Sequence, residues 1–205
     1  MSFLRMVPGR LLGGDSMLEY EKKVLLSKDE YAVLVDRCEG MTVKPQINYY
    51  FDTEDLYMNR KGITCRVRAK EGKYKATIKN HIADGLNCSV EEDLYEDTEF
   101  NYAVFEALGM YLQGSLITTR LLLHKDACCE IVLDWNVYLG YEDFEIEVEY
   151  AKGCENSAVD HLKSIAESLV TADLVDSVED FMLRIGKGKS KSERFFERKR
   201  TERGK

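Results

Sequence analysis

Along much of the chain apolar and polar residues alternate one by one, the period of a strand with two unlike faces. The runs at 17–26, 46–52, 63–70, 73–80, 86–95, 116–125, 128–135 and 143–151 read this way, about eight strands in all. Elsewhere the spacing is helical. Ser27 and Glu30 stand at capping-box separation, Tyr31, Leu34, Val35 and Cys38 follow at helical intervals, and Gly40 marks a stop. A second helix is predicted over 99–108, capped by Asp97 or Thr98 and ended by Gly109. A third covers 158–170, with Val159, Leu162, Ile165, Ala166 and Leu169 on one side, and a short fourth covers 178–184 between Ser177 and Gly186. The last stretch, GKGKSKSERFFERKRTERGK, reads as a loop followed by a basic helix with a frayed end. Eight strands suffice to close an antiparallel barrel with a small interior. The fold class expected is therefore α+β, an eight-stranded antiparallel β-barrel tunnel with helices packed on the outside.

The alternation has an unusual feature. Glu19, Glu21 and Lys23 share a face opposite Leu18, Tyr20, Lys22 and Val24. Arg66, Arg68 and Lys70 oppose Cys65, Val67 and Ala69, and Lys73, Lys75, Thr77 and Lys79 oppose Tyr74, Ala76 and Ile78. Glu130, Val132 and Asp134 oppose Ile131, Leu133 and Trp135; Glu145, Glu147 and Glu149 oppose Phe144, Ile146, Val148 and Tyr150. One such strand is ordinary, with its charged face in water. Five are different, because the signs segregate by strand, whereas solvated faces mix them. Like charges at i and i+2 lie about 7 Å apart, close enough to call for a counter-ion. A barrel lined by acids and bases together suits a polyanion bound with a divalent metal. Mg²⁺ takes carboxylate, phosphate and water oxygens, and Arg and Lys match phosphate oxygens. The apolar faces then point outward, under the helices. No Gly-rich phosphate loop is present.

These residues also resemble a known family. Glu19-Tyr20-Glu21-Lys22-Lys23 fits Glu-x-Glu-x-Lys, and the chain resembles the CYTH superfamily of triphosphate tunnel metalloenzymes from about Met17 to Phe196. NYYFDT (48–53), CRVR (65–68), TIK (77–79), EIVLDWNVYLGYEDFEIEVE (130–149) and SKSERFF (190–196) resemble its further motifs, in order. The resemblance implies a barrel tunnel that hydrolyses inorganic triphosphate, thiamine triphosphate or RNA 5′-triphosphates, or cyclises ATP, with Mg²⁺ or Mn²⁺. It implies metal ligation by Glu19, Glu21, Glu147 and Glu149, with Glu145 on the same face, and phosphate binding by Lys23, Arg66, Arg68, Lys79 and Arg120. Lys75 faces the same way. Glu130 and Asp134 match later acidic positions, linked to metal or to the bases, and Ser190 and Lys191 are expected at the tunnel mouth, with Lys191 on substrate. Glu21 and Lys23 are the candidate catalytic pair. In CSVEED, Glu91 or Glu92 takes the fifth strand's acidic position, and the basic partner many members carry there is missing. The expected activity is metal-dependent hydrolysis of a phosphoanhydride, inorganic triphosphate first, because no aromatic pocket for a base or thiazole is evident. The alternatives are an adenylate cyclase or thiamine-triphosphatase of the same fold, or a non-catalytic binder of polyphosphate or nucleotides. A third reading has the basic tail contact RNA or an acidic partner.

Length, charge and cysteines narrow the picture further. At 205 residues the chain suits one sizeable domain or two small ones, and its formal net charge of −8 argues against general nucleic-acid binding by its surface. No apolar run is long enough to span a bilayer. The reading is a cytoplasmic enzyme with a small anionic triphosphate substrate, no membrane partner and no specific nucleic acid, its oligomeric state left open. Cys38, Cys65, Cys88, Cys128, Cys129 and Cys154 form no Cys-x-x-Cys pair and read as buried or incidental thiols of a reducing compartment. His81, His124 and His161 have no mutual spacing that marks a site. Residues 1–16 read as an N-terminal extension, a misannotated leader before a natural start at Met17; 17–196 form the tunnel domain, and 197–205 a basic tail.

Overall fold

The computed structural model describes residues 17–36, 43–81 and 88–203, and of residues 17–19, 81, 88 and 89 it describes the backbone. The N-terminal extension, Cys38 and Gly40 lie outside the described residues. Eight strands form one sheet: β1 (Met17–Leu26), β2 (Val43–Asp52), β3 (Ile63–Lys70), β4 (Lys73–His81), β5 (Cys88–Asp97), β6 (Tyr111–Lys125), β7 (Cys129–Tyr138) and β8 (Tyr141–Tyr150). Their order is β1-β5-β4-β3-β2-β6-β7-β8, every pair is antiparallel, and β8 returns to pair with β1 from Tyr20↔Tyr150 to Leu26↔Phe144. The barrel is thus closed, which leaves no sheet edge to pair with another chain.

Two tight hairpins set the register. Glu71-Gly72 joins β3 to β4 with φ of 50° and 77°, and Leu139-Gly140 joins β7 to β8 with φ of 47° and 73°. Both central residues are left-handed in each case, the turn whose twist matches paired strands. The second hairpin extends β7 and β8 to Tyr138 and Tyr141, beyond the run predicted from alternation. β6 also begins earlier than predicted, at Tyr111, and passes a register shift opposite Tyr50/Phe51 next to Gly114.

Six helices complete the described residues: α1 (Lys28–Asp36), α2 (Tyr57–Arg60), α3 (Ala103–Glu106), α4 (Glu155–Thr171), α5 (Val178–Met182) and α6 (Lys191–Arg203). The capping box at α1 is reciprocal: the Glu30 amide donates to Ser27 Oγ at 3.1 Å and the Ser27 amide to Glu30 Oε2 at 2.6 Å. Glu30 is buried and also takes a forked ion pair from Arg184, which ties α1 to the chain beyond α5. The predicted 99–108 helix shrinks to the single turn α3, because Asp97 and Asn101 spend their side chains on local backbone amides. α2 carries no sequence signal beyond the turn before it; Asp52 accepts from the amides of Met58 and Asn59 and so caps it from a strand end. The basic tail is no separate segment, since α6 runs unbroken across residue 196.

The hydrophobic core lies around the barrel. Val24, Leu26, Ile131, Leu133, Ile146 and Val148 face outward against Leu34 of α1, Ala158, Leu162, Ala166 and Leu169 of α4, and Phe181 of α5. On the other flank Phe51, Cys65, Val67 and Ala76 pack under Met58 and Phe105. A third group is different: Phe195 and Phe196 of α6 pack on Tyr50, Leu116 and Tyr138, whose register places them on the inner face. α6 therefore covers one end of the barrel. The outer cover is incomplete, for Ile117, Trp135 and Val137 remain exposed on β6 and β7.

The cysteine reading needs correction. Cys128, in the β6–β7 turn, and Cys154, just before α4, are joined in a disulfide with Cα atoms 5.5 Å apart. Sequence alone could not place two turns 26 residues apart side by side. Cys65 and Cys129 are free and buried, in keeping with the expectation, and burial pushes the Cys65 thiol up to about 12.

Candidate active site

The strand order sorts the charges. β7, β8 and β1 are neighbours and carry Asp134, Glu145, Glu147, Glu149 and Glu21; β3 and β4 lie across the ring and carry Arg66, Arg68 and Lys79. A cavity inside the barrel is lined by Glu21, Lys23, Arg66, Arg68, Lys79, Glu91, Arg120, Glu147, Glu149 and Lys191, with Gln46, Tyr50, Thr64, Ser190 and Ser192. Among the described residues the lining thus holds six bases and four acids, and no aliphatic side chain.

On the acidic wall, Arg120 forks onto Asp134, with Nε to Oδ1 at 2.8 Å and Nη2 to Oδ2 at 2.6 Å, and also reaches Glu147. Lys191 enters from α6 and sets its ammonium 2.9 Å from Asp134 Oδ2 and 2.8 Å from Glu147 Oε1, in contact with Glu145 as well. Arg194, one turn on, forks onto Asp143 and lies 2.9 Å from Glu145 Oε2. Burial alone would neutralise these groups; the surrounding opposite charges instead hold Glu147 well below the usual carboxylate range and Lys191 well above the usual ammonium range. Asp134 and Glu145 are fully buried. Glu21 sits opposite Glu149 and Lys23 opposite Glu147 in the β1–β8 register, and Lys23 Nζ donates to Glu21 at 3.3 Å.

The basic wall has an acid of its own, Glu91 of β5. Arg66 donates to both oxygens of Glu91, at 3.0 and 2.7 Å, and through Nε to Thr77. Burial raises the Glu91 carboxyl, but Arg66, Arg68 and Lys79 overcome this and hold it at about 2. Arg68 donates to Asn48 Oδ1 at 3.1 Å, and no carboxylate among the described side chains lies within ion-pair range of it. Burial and the neighbouring Arg66 lower its guanidinium to about 10. Beside it, the buried Asn48 amide nitrogen has no hydrogen-bond partner. An anion would relieve both.

Most sequence-predicted site residues meet in this cavity. Asp134 and Glu145 lie behind its wall, bonded to the bases that line it. Lys75 stands at the barrel end, half-exposed and paired with Asp93 at 2.6 Å, and Glu130 pairs with Lys125; neither lines the cavity. The Glu19 side chain lies outside the described residues; its backbone pairs with Ser89 at the position two before Glu21. Lys191, expected on substrate, sits among carboxylates. Of the two fifth-strand candidates, Glu91 faces inward. Arg194 and Asp143 were missed, although each had a signal: Arg194 shares a helix face with Lys191 at i+3, and Asp143 shares strand parity with Glu145.

The donor set fits a hard divalent cation. Glu21, Glu147 and Glu149 line the cavity with carboxylate oxygens, the ligands that Mg²⁺ and Mn²⁺ take, whereas the close cluster of Asp134, Glu145 and Glu147, with oxygens within 4.8 Å of one another, already holds the Lys191 ammonium.

A closed antiparallel barrel with an acidic wall facing a basic one is the class of architecture that the fold and site define. The CYTH domain model matches residues 17–171, more than half of the chain, and the chain belongs to that family. YjbK of Bacillus subtilis (strain 168), named as a candidate triphosphatase, is 31% identical over 151 residues, 65% of this chain and 78% of that protein. A crystal structure from Bacillus halodurans, described as a candidate adenylate cyclase, is 26% identical with a TM-score of 0.61, covering 87% of this chain and 97% of its own. HpAC1 from Hippeastrum, described as having a dominant triphosphatase activity, shares the fold at 15% identity and a TM-score of 0.53, over 72% and 87% of the two chains.

Proposed function

We propose that the protein hydrolyses a phosphoanhydride of a triphosphate with Mg²⁺ or Mn²⁺, and that inorganic triphosphate is its substrate. The observation that carries this reading is the two-walled tunnel: Arg66, Arg68 and Lys79 opposite the carboxylates of β1, β7 and β8. A triphosphate chain lies with its oxygens on the basic wall, where guanidinium forks match them. Glu21, Glu147 and Glu149, with Glu19, would hold the metal, with Asp134 and Glu145 in the wall behind. When bound, the metal neutralises phosphate oxygens and acidifies water. Lys23 holds the Glu21 carboxylate, which orients the attacking water and accepts its proton. Water oxygen bonds to a terminal phosphorus, the bond from that phosphorus to the bridging oxygen breaks, and phosphate and pyrophosphate leave. Catalysis here is positioning and charge neutralisation.

The lining favours inorganic triphosphate over thiamine triphosphate or a nucleotide. Tyr50 is its one aromatic residue among those described, and that ring is packed against Phe195 and Phe196. The relative named as a triphosphatase supports hydrolysis; the one described as a cyclase keeps ATP cyclisation as the second reading. The test is a panel of inorganic triphosphate, thiamine triphosphate and ATP with each metal, comparing the natural protein with Glu21→Gln. Metal-dependent phosphate release from inorganic triphosphate, reduced about 100-fold or more in the variant, is expected. Equal rates in the two proteins sink this site. Cyclic AMP and pyrophosphate from ATP would mark a cyclase, and tight triphosphate binding without turnover a non-catalytic binder.

A further inference from the structure

Two histidines that the sequence leaves 37 positions apart meet on the outside of the barrel. Up to Leu122, which pairs with Val132, β6 keeps Arg120 and Leu122 in phase with the inner face. A register shift between Leu122 and His124 then pairs His124 with Ile131, an outward-facing core residue. The bulge thus turns His124 out of the tunnel, towards α4. His161 projects from α4 one position before buried Leu162, and the two imidazole rings lie 4.4 Å apart. Asp126, in the turn after β6, completes the group: its Oδ2 is 2.9 Å from His124 Nε2. Its other oxygen accepts from the amides of Cys128 and Cys129, both at 2.7 Å, which fixes the carboxylate's direction. One ligand atom from each of His124, Asp126 and His161 lies within 4.8 Å of the other two.

We propose that His124, Asp126 and His161 form a second divalent-metal site, separate from the tunnel, that takes Zn²⁺. Two imidazoles and one carboxylate are a zinc set, with water completing the tetrahedron on the exposed side. Imidazole ligands discriminate against Mg²⁺, whereas the carboxylates of the tunnel wall suit it, so that excess Mg²⁺ competes for the tunnel and not for this site. The two sites are therefore separable by metal identity. The ion would fasten α4 to the β6–β7 turn, the two places that Cys128–Cys154 already joins. It would act as a clamp on the outer core and not as a part of the hydrolytic machinery.

The experiment titrates Zn²⁺ into the full chain by calorimetry with Mg²⁺ in excess, and repeats it with His161→Gln and His124→Asn. Expected are one Zn²⁺ per chain, a higher melting temperature with Zn²⁺, and binding weakened about 100-fold or more in each variant. Co²⁺ in place of Zn²⁺ should give visible absorption bands of a tetrahedral site that both variants lose. Melting in chelator checks that the variants fold, and their Mg²⁺-dependent triphosphate turnover should be unchanged. Absence of saturable Zn²⁺ binding over Mg²⁺, or equal Zn²⁺ binding in the natural protein and both variants, overturns the proposal. In that case the three side chains make only an ion pair and a ring contact.

Discussion

Replacing Lys191 with methionine tests the acidic wall most directly. Its ammonium contacts Asp134, Glu145 and Glu147, two of which are fully buried. Methionine keeps most of the volume and removes the charge. Arg120 stays on Asp134 and Glu147, and Arg194 on Glu145. With Asp143, which Arg194 also holds, four carboxylates then face two guanidiniums in place of three bases, and one buried negative charge loses its counter-ion. Removing one partner of a buried ion pair costs about 3–5 kcal/mol, or about 6–20 °C in melting temperature for a chain of this size. The pH dependence follows from the signs. Lys191 has a raised folded pKa, so its contribution is complete below its unfolded value of about 10.4 and fades only as pH rises through the folded one. Glu147 has a lowered folded pKa, so its contribution is complete above about 4.3 and fades as pH falls. The gap between natural protein and variant is therefore full near neutral pH and narrows in acid, where the carboxylates protonate. Urea unfolding followed by circular dichroism, near pH 7 and again well below pH ~4.3, measures it. Added Mg²⁺ should narrow the gap at neutral pH by supplying the missing positive charge. A loss under about 1 kcal/mol at neutral pH would refute the claim that Lys191 neutralises a buried cluster.

Three further outcomes are expected. Ser27→Ala should cost about 0.5–2 kcal/mol in chemical denaturation, since the Glu30 amide loses its cap. Gly114→Ala should cost about 1–3 kcal/mol by the same measurement, because the residue sits at φ 143° and the added Cβ would stand 3.0 Å from the Phe195 ring. The ionised Glu91 carboxylate, held by Arg66, Arg68 and Lys79, should contribute about 3 kcal/mol above pH ~4.3 that is lost as pH falls towards ~2; Arg66→Met should weaken that acid-limb dependence and raise KM for triphosphate.

The strands and the tunnel lining were legible because a two-residue period writes each face directly into the sequence. Glu21 and Lys23 fall on one face and Val24 and Leu26 on the other, whatever the barrel's size. The sign of charge per strand told which face was inside. What could not be read were contacts made by docking. Lys191 and Arg194 belong to a basic helix, and nothing local says that it turns into the acidic end of the barrel. The 99–108 segment had a helical pattern, but its cap candidates bonded locally and left one turn. His124 could not be placed without the bulge beside it, which shifts parity by one. Cys128 and Cys154 meet only because α4 starts where the β6–β7 turn ends.

The arrangement resembles a cask, with strands as staves and helices as hoops. What grips the staves is outside them, while the bore is left for chemistry. Along β1 and β8, neighbouring residues in sequence thus answer to different demands. Substitutions at one parity re-line the bore, and those at the other loosen the hoops. Away from the closed end, where buried ion groups join the two, such changes should combine additively. A barrel built this way can change its lining without rebuilding the packing that keeps it shut.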